Sequence, residues 1–238
     1  SPPPSQIFPL SLTDPLPILT ENVKEQIDFF SNVLGMELKA LYWMHGVEGF
    51  FHAFLKLNDS SSVAFVQKHG AEPVEPVMGK THAGNPTTEC APGTMQHIAF
   101  NVDSDAELYA MRDRIRDSGV PVMGPIDHGF CKSMYFGGPE NLVLEVSTSE
   151  AGIDQEQWID PEVVGLVGIS PEELESYKNP PAYANTSGKP VAQPPLDSGK
   201  PMYTNMDPQF ASTFSLPDDV VMKEVSHTEP PVKVASAG

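Results

Sequence analysis

The chain has 238 residues, 39% of them hydrophobic, and its 14 Lys and Arg stand against 32 Asp and Glu for a formal net charge of −18. That length suffices for one large domain or two small ones with a real core. The excess of negative charge repels phosphate backbones and anionic lipid surfaces, so nucleic acid and membrane are excluded as expected partners. No apolar run approaches the roughly 20 residues of a spanning helix, and "SPPPSQIFPLSL" (1–12) lacks the basic segment and apolar block of a secretory signal. Cys90 and Cys131 are the two cysteines and read as free thiols in a reducing compartment, so the expected location is cytoplasmic.

In chain order, an extended stretch "PLPILTE" (15–21) precedes "NVKEQIDFFSNVLG" (22–35). There Asn22 can cap a helix, Glu25 closes a capping box, and Val23, Ile27, Phe30 and Leu34 recur at helical spacing up to Gly35. Three strand-like runs follow, "MELKALYW", "FFHAFLKL" and "SVAFVQ", separated by turn residues. After a Gly- and Pro-rich connection (68–94), either functional or loosely ordered, the same order returns. "QHIAFNV" (96–102) alternates as a strand, Ser104 and Glu107 form a second capping box, and Leu108, Met111 and Ile115 make the stripe of a helix that Gly119 ends. "VPVMG", "KSMYFGG" and "NLVLEVST" complete a second β-α-β-β-β unit, so the chain carries two copies of one unit in tandem.

Beyond Ser149 the composition shifts. "SPEELESYK" (170–178) predicts a helix capped by Ser170 with Pro171 in its first turn and Glu173 closing the box. From Asn179 on the chain is polar, Pro-rich and without periodicity, and cannot fold alone. Its apolar residues, from Trp158 through Met202, Tyr203, Met206 and Phe210 to Phe214, predict that the extension wraps the double unit and reaches a second subunit, giving a homodimer. For the final stretch "HTEPPVKVASAG" a disordered tail is the alternative.

Strand alternation places chemistry. His97, Ala99 and Asn101 share one face of their strand while Ile98, Phe100 and Val102 share the other. Glu145 sits with Val143 opposite Leu142, Leu144 and Val146, so a histidine on the first strand and a glutamate on the last converge. Other chemistries lack their signatures: no Gly-rich strand-to-helix loop suits a nucleotide, neither cysteine belongs to a CxxC or zinc pattern, and no Ser occupies a nucleophile elbow.

The tandem repeat, the helix-ending glycines, "FFSNVLGMEL", "MQHIAFNVD" and "SMYFGGPENLVLEV" together resemble the vicinal oxygen chelate superfamily, which includes glyoxalase, bleomycin-resistance proteins and extradiol ring-cleaving dioxygenases. The resemblance covers roughly residues 15–148. It implies an α+β fold in which tandem βαβββ modules, about 15–67 and 95–148, form a cup-shaped mixed sheet. The domain would span 1–149, with a Pro-rich C-terminal extension over 150–238. It also implies His97 and Glu145 as ligands of a divalent metal, Fe(II) first with Mn or Zn as alternatives. His128 and Tyr135 resemble the histidine and tyrosine beside the metal of the extradiol dioxygenases, as acid or base and as oxygen-orienting group, and His52 and Asn101 are assigned to substrate contact.

One departure stands against this. Pro15 occupies the place of the first module's expected histidine, and Ala64 and Val66 that of the glyoxalase ligand on its last strand, leaving His52 or His82 as available substitutes. Ligand counting therefore leaves the metal-bound and metal-free readings both open. The leading expectation is an extradiol-dioxygenase-like metalloenzyme acting on a small aromatic or vicinal oxygen substrate. The alternatives are a non-catalytic small-molecule-binding protein of the same fold and a glyoxalase-like lyase or isomerase. Each residue also has a plainer reading: His97 satisfied by a backbone carbonyl, Glu145 an inherited carboxylate in a metal-free cup, Tyr135 a half-buried aromatic, His128 a turn residue. His45, His69 and His227 are read as loop positions without a role.

Overall fold

The computed structural model describes residues 16–84, 89–149, 152–183, 187–201 and 212–233. Pro15, Met202, Tyr203, Met206 and Phe210 lie outside the described residues. The described chain falls into two compact units, a larger one up to residue 178 that omits 45–48, and a smaller one holding 45–48 and the residues from 179 on.

In the larger unit the chain runs twice through the predicted order. The first module comprises β1 (Leu16–Leu19), α1 (Val23–Asp28) continued by a π-helical turn (Phe29–Val33), β2 (Leu38–Trp43), β3 (Phe50–Lys56) and β4 (Ser62–Lys68). The second comprises β5 (Ile98–Asn101), α2 (Asp105–Asp117), β6 (Val122–Asp127), β7 (Lys132–Gly137) and β8 (Val143–Thr148). Each module makes its own four-stranded mixed sheet, in the order β1-β4-β3-β2 and β5-β8-β7-β6. In each, the first strand pairs parallel with the last and the other pairings are antiparallel. A helix must cross from the first strand to reach a parallel partner, which is why both modules start β-α.

Local signals act where the sequence places them. The Asn22 side chain accepts the Glu25 N–H at 3.2 Å, and Ser104 Oγ accepts the Glu107 N–H at 3.3 Å. Gly35 and Gly119 adopt φ of +82° and +85°, the left-handed geometry in which a helix ends at least cost with glycine.

One face of each sheet and the inner faces of both helices share a single core. Phe65, Leu55 and Val63 cluster with Phe30 of the π-helical turn, and Ile98, Met134 and Leu144 with Leu108 and Ile115 from α2, in one core. Phe30 joins the halves, its ring 4.9 Å from Phe65 and 6.4 Å from Phe100. Full burial of side chains this size contributes about 1.5–3 kcal/mol each.

Two polar links reinforce that junction. Arg114 of α2 donates to the carbonyls of Val33 (2.8 Å) and Asn32 (3.2 Å) at the end of the first module's helix. Glu140, in the β7–β8 turn, accepts from the backbone N–H groups of Glu21 (2.9 Å) and Asn22 (3.2 Å) and from Gln26 Nε2 (2.8 Å) at the start of that helix. The second module therefore holds both ends of the first module's helix.

Three helices follow in the same unit, α3 (Gln155–Trp158), α4 (Pro161–Leu166) and α5 (Pro171–Lys178). Only α5 is anticipated from the capping box: Glu173 accepts the Ser170 N–H at 2.8 Å, and Ser170 Oγ accepts the Glu173 N–H at 3.2 Å. Among the described residues the smaller unit contains a 3-10 turn (Ser212–Ser215) and the helix α6 (Asp218–Val225), beside an apolar groove lined by Phe214, Leu216, Val221 and Met222. Among the described residues no helix is long and apolar enough to cross a membrane.

Candidate functional site

Alternation along the second sheet delivers the expected faces. Ile98 and Phe100 are buried and Ala99 and Asn101 exposed, so the face of β5 turned away from α2 is the one His97 enters. On β8 the register pairs Ala99 with Glu145 and Tyr135 with Glu145, which puts β5, β8 and β7 side by side with Glu145 in the middle. Glu145 is 7% exposed, and its Oε2 lies 2.6 Å from His97 Nε2. A buried carboxylate without a partner would cost several kcal/mol, and the imidazole supplies that partner. The other ring nitrogen of His97, Nδ1, contacts the side-chain amide of Gln96. Both imidazole nitrogens are thus engaged by protein groups.

Tyr135 stands edge-on to His97, with ring centroids 6.0 Å apart at 83°, and its hydroxyl is 3.2 Å from His128 Nε2. Burial pushes the Tyr135 phenol above its ordinary value; a hydrogen bond from Ser133 opposes this, and the neighbouring Glu145 charge adds to it. Ser133, fully buried, shares the face of Tyr135 on β7, and its hydroxyl lies 3.7 Å from Cys131 Sγ. His128 is exposed at the end of the β6–β7 hairpin, where its N–H donates to the Cys131 carbonyl at 2.8 Å. His97, Glu145, Tyr135 and His128, singled out from the sequence, come together as one polar cluster.

The others do not join it. His52 lies on β3 of the first sheet, its ring 4.3 Å from Phe54 and 6.0 Å from Tyr42. Its Nε2 is buried with no hydrogen-bond partner, and burial lowers its pKa from 6.5. His82 sits in the connection between modules with Nδ1 3.0 Å from Thr81 Oγ1. Asn101 is exposed at the end of β5 opposite Ser147. Sequence reasoning missed Ser133 and Gln96. The period-two argument that places Tyr135 would have placed Ser133 with it, whereas nothing in the sequence marks Gln96.

The internal repeat explains the uneven chemistry of the two sheets. Leu16 pairs with Val63 as Ile98 pairs with Leu144, so Ala64 corresponds to Glu145, Phe54 to Tyr135, and the residue before β1, Pro15, to His97. On β3 and β4 the first module thus carries Phe54 and Ala64 in place of Tyr135 and Glu145, and His52 in place of Ser133.

These donors do not fit a resident divalent ion. A zinc or non-haem iron site takes three or more donor side chains, and among the described residues no three His, Cys, Asp or Glu side chains are grouped to hold one. The pair that does converge is bonded to itself, and His97 offers no free ring nitrogen. Of the expected substitutes, His82 is bonded to Thr81, and His52, whose Nε2 has no hydrogen-bond partner, lies on β3 of the first sheet and is not grouped with His97 and Glu145.

The family profile described as Glyoxalase/Bleomycin resistance protein/Dioxygenase superfamily matches residues 13–146. Similar solved structures include a glyoxylase/bleomycin resistance protein/dioxygenase domain from Frankia sp. EAN1pec, 15% identical over 57% of this chain and 94% of that one, with a TM-score of 0.44. A variant of the fosfomycin resistance protein FosX from Listeria monocytogenes, solved with Mn(II) and a dihydroxypropylphosphonic acid, is 16% identical over 60% and 94%, with a TM-score of 0.40. An antibiotic binding protein from Streptomyces sp. CB03234 is 15% identical over 60% and 98%, with a TM-score of 0.41. Comparison with curated proteins gave no significant match.

Proposed function

The chain belongs to the glyoxalase/bleomycin resistance protein/dioxygenase superfamily, and from that premise we propose that it binds a small organic molecule at the His97, Glu145, Tyr135 and His128 cluster without a resident metal. The observation that carries this reading is the closed pair: Glu145 Oε2 and His97 Nε2 at 2.6 Å, with His97 Nδ1 on the Gln96 amide. Groups that satisfy one another in this way leave neither partner as an uncompensated buried polar group. Of the functions expected from the sequence, this supports the non-catalytic binding protein over the Fe(II) dioxygenase.

In this reading the His97–Glu145 pair stands against the Tyr135 ring from one side, and the buried Ser133 shares the face of Tyr135 on β7. The phenol, protonated at neutral pH like any tyrosine, has its pKa pushed further up by burial. Its hydroxyl, with the exposed His128 ring 3.2 Å away, then presents a hydrogen-bonding pair to an oxygen of the ligand. Thermal-shift screening of oxygen-bearing aromatic and heterocyclic compounds in the presence of a chelator tests this. A ligand is expected to raise Tm with the chelator present, and Tyr135→Phe is expected to weaken its binding about 5- to 10-fold, the effect of one neutral hydrogen bond of roughly 1 kcal/mol. Stabilisation that requires an added divalent ion would overturn the proposal.

One observation favours a second reading, a glyoxalase-like lyase or isomerase. A protonated phenol bonded to an imidazole is a ready acid and base pair. Conversion of the bound compound, followed by mass spectrometry, distinguishes it from simple binding.

A further inference from the structure

The hairpin that carries His128 is held from outside by a residue beyond the superfamily match. Gly129 has φ of +90°, and a Cβ added there would fall 2.7 Å from Trp158 Cζ2 and 2.9 Å from Cη2. The indole of Trp158 therefore lies flush on the backbone immediately after His128. The next residue, Phe130, meets the same indole edge-to-face, with ring centroids 4.7 Å apart at 82°. Inside the turn, Asp127 Oδ1 accepts the Gly129 N–H and the Cys131 carbonyl accepts the His128 N–H, both at 2.8 Å.

Trp158 is itself fixed. Its N–H donates to the Asp154 carbonyl at 3.0 Å, closing α3, and Glu156 of that helix pairs with Lys178 Nζ at the end of α5 at 2.5 Å. The 152–178 segment thus forms a strut whose contact with the modules includes the turn next to His128.

We propose that Trp158 is a positioning residue: by packing on Gly129 and Phe130 it sets the His128 ring against the Tyr135 hydroxyl, so that the C-terminal extension is part of the binding site and not an appendage to it. Two features carry this beyond simple packing. Position 129 tolerates no side chain while the indole is in place, and the left-handed φ there favours glycine for a second reason. In addition, His128 is exposed, and among the described residues its ring is held by the turn conformation and its bond to Tyr135. Removing Trp158 leaves both modules' cores untouched and frees the turn.

The functional consequence rests on the proposed ligand site, but the coupling is read in the free protein, so its failure and the failure of ligand binding are separate results. In protein labelled with 15N-histidine, the His128 ring signals are assigned by their loss in His128→Gln. Tyr135→Phe defines the shift produced by losing the hydrogen bond. Trp158→Ala is expected to move the His128 ring signals in that same direction while those of His97 stay in place, and Trp158→Phe to restore them. Gly129→Ala, which pushes the indole away, is expected to reproduce Trp158→Ala. Unchanged His128 signals in Trp158→Ala would overturn the proposal, as would equal movement of His97 and His52, the signature of general loosening. If Trp158→Ala does not fold, Trp158→Leu, which keeps apolar bulk without the flat ring, carries the same comparison with the same two outcomes.

Discussion

Glu140→Ala removes the carboxylate with which the second module holds the start of the first module's helix. The loss can be worked from three hydrogen bonds. The N–H groups of Glu21 (2.9 Å) and Asn22 (3.2 Å) are exposed, so water replaces the carboxylate and each bond is worth about 0.5–1.5 kcal/mol at most. Gln26 is fully buried, and its Nε2, bonded to Glu140 at 2.8 Å, would lose its partner while its Oε1 already has none. Orphaning that group costs about 1–3 kcal/mol. The expected destabilisation is roughly 2–6 kcal/mol.

Glu140 also sits at φ +54°, a conformation that costs a non-glycine residue about 1–2 kcal/mol. Glu140→Gly recovers that strain while losing the same bonds, so the expected order of stability is native, then Gly, then Ala. Urea unfolding followed by tryptophan fluorescence is the assay, because both tryptophans, Trp43 and Trp158, belong to the larger unit and report on it alone. An Ala variant within about 0.5 kcal/mol of the native protein, a surface-like effect, or a Gly variant more stable than native, would refute the inter-module role.

Two further outcomes follow from the same structure. Gly35→Ala puts a Cβ 2.9 Å from Arg114 Cζ at a φ of +82°, so it is expected to cost about 1–2 kcal/mol for the backbone alone. Arg114→Ala in that background should relieve the clash and give a double variant less destabilised than the sum, as read by a double-mutant cycle in urea. His52, whose pKa is lowered by burial from 6.5, takes up a proton more readily in the unfolded chain than in the folded one. Its contribution is complete above about pH 6.5 and is lost as pH falls through the lower folded value, with a slope of at most about 1.4 kcal/mol per pH unit. The acid arm of a Tm-versus-pH curve should flatten in His52→Phe, and an unaltered arm would refute the assignment.

The modules and the central pair were legible in the sequence because both rest on short-range periodicity. Period two puts His97 and Glu145 on the open face of their strands, and capping residues with terminal glycines mark both helices. The absence of a donor at Ala64 was equally legible, since pairing register follows the repeat. What the sequence did not reveal depends on contacts across long separations. That His97 and Glu145 bond to each other, rather than to a third group, is a fact of three-dimensional register. The approach of Trp158 to Gly129 is another, and no local pattern encodes it.

Two misses were avoidable. The short helices α3 and α4 start at Asp154 and Asp160, whose side chains accept the N–H groups of Glu156 (3.0 Å) and Glu162 (2.8 Å), and Pro161 opens the second. Those are ordinary local start signals, placed just before a Pro-rich, polar stretch.

The most direct test of a metal-free site is elemental analysis of the purified full chain, followed by calorimetric titration with Mn(II), Fe(II) and Zn(II). The closed His97–Glu145 pair predicts far less than one equivalent of any divalent metal as isolated and no saturable heat that depends on His97 or Glu145. One tightly held equivalent that disappears in both His97→Ala and Glu145→Gln would contradict it.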